Sequence, residues 1–154
     1  MTTLVLGIGN TLLGDEGAGV HVVRALAERY ADRDDLTFLD GGTLSFTLAA
    51  PIGEADRLIV VDAAELRAAP GSVAVFEGEA MDRFLGAQRR RSVHEVGLID
   101  LMAVSRLIDR WPARRALVGI QPQFVDWAEA PTPAVARGVD TACERVMELI
   151  GAWQ

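Results

Sequence analysis

The hydrophobic pattern starts almost at the first residue. Leu4-Val5-Leu6 is a short continuous apolar run, as in a parallel strand buried on both faces, and Gly7 and Gly9 let the backbone turn sharply at its end. Beyond the loop, Val20, Val23, Ala27 and Tyr30 recur every three or four residues, so residues 16 to 31 predict an amphipathic helix. Asp15 stands where it can cap that helix, and Glu16 falls in its first turn, where exposed N–H groups favour a carboxylate. Leu36 to Leu39 predicts a second strand, closed by Asp40-Gly41-Gly42-Thr43, and Leu44 to Ala49 a short helix stopping near Pro51. Leu58-Ile59-Val60-Val61 is the third strand and ends at Asp62. Alternation of this kind predicts a parallel sheet with helices on its faces.

The second half departs from that rhythm. Residues 63 to 71 read as a loop closing on Pro70-Gly71, too short for a crossover helix, so the fourth strand, Ser72 to Phe76, is expected to run antiparallel. Residues 78 to 91 are the least regular: an apolar patch from Met81 to Leu85, then Arg89-Arg90-Arg91. Ser92-Val93-His94-Glu95 matches a capping box and predicts a long buried helix through Trp111. Ala116 to Ile120 is the fifth strand, ending at Gln121-Pro122. After a loop rich in proline, acid and aromatic residues, Thr132-Pro133 opens a final helix to about Ile150. One α/β domain spanning 1-154 is expected.

Composition narrows the class. Of 154 residues, 50% are hydrophobic and 24% charged, a globular balance with length enough to bury a core without disulfides or structural metal. No apolar run approaches the roughly 18 residues of a membrane span. Met1-Thr2-Thr3 leads straight into the first strand without room for a signal peptide, so a cytoplasmic protein with no membrane partner is expected. The single cysteine excludes an internal disulfide and a Cys-based zinc cluster. A net charge of -7 argues against general nucleic-acid binding, which needs a basic face.

The chemistry-bearing residues follow the strands. Glu16 comes after the first strand, Asp40 after the second and Asp62 at the end of the third, so parallel strands would bring all three to one rim. His94, in the first turn of its helix, is the other strong ligand or base candidate. Two carboxylates and an imidazole suit zinc, nickel or a similar divalent ion with positions left for substrate. Each residue also has a local reading: first-turn acids at 15 and 16, turn formers at 40 and 62, a helix-end histidine at 94. Their joint placement favours a site. Ser92 is assigned to capping. His21 lies about 140° around the helix from Glu16, on a face shared with Arg24 and Glu28, and reads as solvated surface. Cys143, between Val139 and Val146, reads as core. A dinucleotide fingerprint would need a third glycine where Leu12 stands, and the loop has no lysine, so no nucleotide cofactor is expected.

Four segments in register are recognisable together: GIGNTLLGDEGAGV, Asp40-Gly41-Gly42-Thr43, Val60-Val61-Asp62-Ala63 and Ser92-Val93-His94-Glu95-Val96-Gly97-Leu98. They resemble the hydrogenase maturation endopeptidases, which process the large subunit of nickel-iron hydrogenases, and Leu117 to Pro122 is similar to that family's last strand. The resemblance covers nearly the whole chain. It implies a three-layer α/β fold, a five-stranded, mostly parallel twisted sheet with one antiparallel strand and helices on both faces. It implies removal of a C-terminal extension from the large-subunit precursor after nickel insertion, with Glu16, Asp62 and His94 as the metal-binding residues. Asp40 is a further candidate acid, and Asp40 and Glu16 are the candidate catalytic groups. The nickel would be supplied by the substrate precursor, the partner, and the protease itself is expected to be a monomer. Either the metal polarises the scissile carbonyl or activates water, or Asp40 acts as general base while nickel serves as a checkpoint. With no His-Glu-x-x-His present, the checkpoint role is preferred; serine or cysteine catalysis is not expected. A non-enzymatic nickel-binding chaperone, a degenerate Rossmann-like nucleotide binder and a plain α/β domain with capping acids are the rival readings.

Overall fold

The structure, a computed structural model, describes residues 1–42, 48–87 and 109–154. Five strands form one sheet: β1 (Thr3–Ile8), β2 (Leu36–Gly42), β3 (Arg57–Ala63), β4 (Val73–Glu77) and β5 (Arg114–Ile120). Their spatial order is β2-β1-β3-β5-β4; the first four run parallel, and β4 pairs antiparallel with β5 at the edge. Among the described residues the helices are α1 (Ala18–Arg29), α2 (Ala49–Glu54), α3 (Glu79–Ala87) and α4 (Pro133–Ala152), with a 3-10 turn at Gly14–Gly17 ahead of α1.

Strand alternation sorts the apolar residues into two cores. Val5, Ile59 and Ala116 sit side by side in register and, with Val61 and Val118, face α1 and α4, meeting Val22, Leu26, Ala142 and Val146. Leu4, Leu6, Leu58, Val60 and Leu117 point the other way, toward Ile52 of α2 and Met81 of α3. Both faces of the central strands are therefore covered, which explains their unbroken apolar runs. No helix among the described residues is long and apolar enough to cross a membrane.

The expected three-layer class and the antiparallel fourth strand are found, and several boundaries are corrected. Residues 79–87 form a helix: Met81, Phe84 and Leu85 share one side of it, Met81 is fully buried, and the Phe84 ring stacks on Phe76 at 4.2 Å. Two turns are too few for a period of 3.6 to stand out. Almost fully buried, the fork of Arg115 grips Asp82 at 2.9 and 2.6 Å and ties α3 to the start of β5. Helix α2 runs on past the expected stop to Glu54 and holds Pro51 in its first turn, where the missing N–H has no helical partner to lose, while residues 44–47 of the short helix expected there lie outside the described residues. The helix expected to run through Trp111 does not include Asp109, which adopts a left-handed turn conformation (φ 55°). The capping box at 92–95 and the arginines at 89–91 lie outside the described residues.

Candidate functional site

Because β1, β2, β3 and β5 share a direction, their carboxyl ends form one rim; the chain leaves β1 toward β2 on one side and leaves β3 toward β4 and β5 on the other. The crevice over the ends of β1 and β3 is where open α/β sheets bind ligands. Gly19 brings the first turn of α1 into this crevice; a Cβ there would collide with the carbonyl oxygens of Val61 and Ile8. Gly9, at φ 133°, closes the loop so tightly that a Cβ would meet the carbonyl of Glu16. The 3-10 turn carrying Glu16 is thereby packed against β3.

Glu16 is half-buried in that turn, and half-buried Asp62 lies in register with Gly119 near the end of β3. Alternation along β3 puts Asp62 on the side of Leu58 and Val60. Asp40 stands at the same rim but serves the opposite side of the sheet. Exposed on the outer strand β2, it accepts hydrogen bonds from Arg24 of α1 at 3.1 Å and from the Gly42 N–H at 2.9 Å. The acids predicted to share a rim do so, on two sides of the sheet. His94 lies outside the described residues. Among the described residues no three His, Cys, Asp or Glu side chains form a cation-sized cluster, and the set proposed from the sequence includes His94.

Asp15 does something the sequence did not suggest. It is fully buried and caps nothing in its own turn. Its carboxylate accepts the N–H groups of Gln123 and Phe124, both at 2.8 Å, the N–H of Thr132 at 2.7 Å and the Thr132 hydroxyl. Burial alone would raise its pKa; the N–H groups of Phe124, Thr132 and Gln123 and the Thr132 hydroxyl outweigh it and hold the carboxyl below its usual range. Thr132 is at the N-cap position of α4, but its hydroxyl goes to Asp15 rather than to the helix. Partners more than 100 residues apart leave no periodic signal.

Gln121 is the second residue that sequence reasoning passed over. Buried past the end of β5, its side-chain oxygen accepts the Leu66 N–H at 2.6 Å and its amide donates to Glu65 at 3.1 Å, fixing the loop after Asp62. A polar residue directly after the apolar run of β5 was the available clue. His21, expected on a solvated face, is half-buried; its Nε2 is enclosed with no hydrogen-bond partner among the described residues, and burial, aided by nearby Arg24, lowers its pKa. Cys143 is core, as expected, with its thiol pKa raised chiefly by burial.

This architecture defines a three-layer α/β protein with carboxylates on the ligand-binding rim of its sheet. The family model for hydrogenase maturation protease matches residues 20–149. Hydrogenase expression/formation protein HupD of Bradyrhizobium diazoefficiens is 40% identical, over 94% of this chain and 78% of the relative. Hydrogenase 2 maturation protease of Escherichia coli is 34% identical, over 96% of this chain and 89% of its own. Among solved structures, the hydrogenase maturating endopeptidase HybD of Escherichia coli superposes with a TM-score of 0.90 at 33% identity, covering 99% of this chain and 93% of that one. The chain belongs to the hydrogenase maturation protease family.

Proposed function

We propose that this protein is the endopeptidase that removes the C-terminal extension from a nickel-iron hydrogenase large-subunit precursor once nickel has been inserted. Beyond family membership, the observation that carries this reading is the packing of the Glu16 turn against β3, the strand that presents Asp62, at the crevice of the rim. Oxygen donors at that place suit a divalent ion arriving in the substrate. Glu16, Asp62 and His94 bind the precursor's nickel through its free positions and so orient the scissile peptide bond, turning cleavage into an effectively intramolecular event. Water then adds its oxygen to the carbonyl carbon, the C–N bond breaks, and the departing amine takes up a proton. Asp40 accepts the proton of the attacking water, which requires its ion pair with Arg24 to open.

The test is mass analysis of the purified precursor, with and without nickel, after incubation with the wild type and with Glu16→Gln, Asp62→Asn, His94→Ala and Asp40→Asn. The expected result is loss of the extension only from nickel-loaded precursor, and no loss with the first three variants, each still folded by circular dichroism. Asp40→Asn should bind the loaded precursor without cutting it. A precursor bound by the wild type but unchanged in mass would establish the chaperone reading instead, and full activity of the three ligand variants would remove the site assignment.

A further inference from the structure

Large apolar side chains are exposed at few places among the described residues, and apart from Met1 they are neighbours. Leu12 is 55% exposed, Phe124 46%, Val125 54% and Trp127 73%. Two loops carry them, and these are laced together: the Ala128 N–H donates to the Leu12 carbonyl at 3.0 Å, the Gly14 N–H to the Ala128 carbonyl at 3.0 Å and the Asp15 N–H to the Phe124 carbonyl at 3.0 Å. Beneath them, the Asp15 carboxylate holds Gln123, Phe124 and Thr132 from inside. Folding gains nothing from leaving a tryptophan in water on a frame this firmly fixed; a clustered exposed apolar patch of this kind marks an interaction surface.

Its position and charge say what it meets. The patch is continuous with the Glu16 turn, since Gly14 and Asp15 belong both to that turn and to the lacing. The flanking charges on these loops are acids, Asp126 and Glu129, and residues 9–17 and 121–132 contain no arginine, lysine or histidine.

We propose that the paired loops at 10–13 and 122–128 dock the stretch of the substrate precursor adjoining the scissile bond, a stretch that presents an apolar side chain flanked by basic residues. This rests on the protease reading above for the identity of the occupant. Trp127 and Phe124 are the anchors, as buried aromatics are at most protein interfaces, and Asp126 and Glu129 guide the basic flanks.

The experiment titrates nickel-loaded large-subunit precursor, encoded in the same genome and bearing its extension, against wild type, Trp127→Ala, Phe124→Ser and the pair Asp126→Asn with Glu129→Gln. Glu148→Ala, on α4, is the control; precursor mass is read in the same samples. Trp127→Ala and Phe124→Ser should each weaken the complex about tenfold or more while melting like the wild type. The double charge variant should bind a few-fold more weakly and lose most of its salt dependence. Unchanged affinity in both aromatic variants overturns the proposal. So does self-association of the wild type that Trp127→Ala abolishes without altering precursor affinity, which would make the patch a contact between two copies of this chain. Binding that depends on Trp127, with no change in precursor mass, would keep the docking surface and discard the protease. Cleavage with normal affinity in the variants would do the reverse.

Discussion

Asp15 gives the most exacting test of how this rim is held. Replacing it with alanine leaves the N–H groups of Gln123, Phe124 and Thr132 and the Thr132 hydroxyl without their common acceptor. A hydrogen bond to a charged group contributes roughly 1.5–3 kcal/mol, so the unrelaxed sum is far too large. Gln123 and Phe124 are exposed and their N–H groups reach water once the loop shifts, whereas Thr132 at the root of α4 has less freedom. About 3 kcal/mol is the reasonable loss. For a domain of this size that lowers Tm by about 6–12 °C. Asp15→Asn separates charge and acceptor loss from cavity formation, since it keeps the volume but turns an NH2 group toward backbone donors; about 2–3 kcal/mol is expected. The pH dependence has a defined sign. The folded-state pKa of Asp15 lies below the unfolded value of about 3.9, so its stabilisation is complete above that value and lost as pH falls through the folded pKa. Urea unfolding of wild type and Asp15→Asn should therefore show a constant gap from pH 7 to pH 5 that narrows toward pH 3. A Tm loss under about 2 °C, or a gap indifferent to acid, would refute the idea that this carboxylate clamps the loop.

Gly19→Ala should be far more damaging than an alanine in an open helical site, because its Cβ meets the backbone carbonyls of Val61 and Ile8. We expect a loss of about 2 kcal/mol or more and a failure to process precursor, whereas Gly86→Ala, with nothing among the described residues within 4 Å of the new Cβ, should stabilise by about 0.5–1 kcal/mol. Paired thermal melts and a processing assay check both. Arg115→Ala should cost about 2–3 kcal/mol by removing the two charge-assisted hydrogen bonds that hold almost-buried Asp82, and Arg115→Lys, which keeps the charge but loses the fork, should cost less. An Arg115→Ala variant as stable as the wild type in urea would show that the pair adds nothing.

The sequence by itself determined the layers, because a strand buried on both faces must be apolar throughout and a helix on a sheet must be apolar every three to four residues. Leu58 to Val61 and the Val20 to Tyr30 pattern could satisfy nothing else, and the loop before β4 was too short to hold a crossover helix. It also placed Glu16, Asp40 and Asp62 at strand ends, and parallel order then carries them to a common rim. Only the tertiary structure decided which side of the sheet each acid serves, since that depends on the register that sets Asp40 opposite Gly7 and on Arg24 lying against Asp40. It alone decided that Asp15, read as a cap, is a buried clamp on a loop more than 100 residues away, and that Gln121 fixes the loop after Asp62. Periodicity reports which residues leave water; it carries no record of which distant backbone groups a buried polar side chain will meet, because those partners are brought together only when the sheet closes its order.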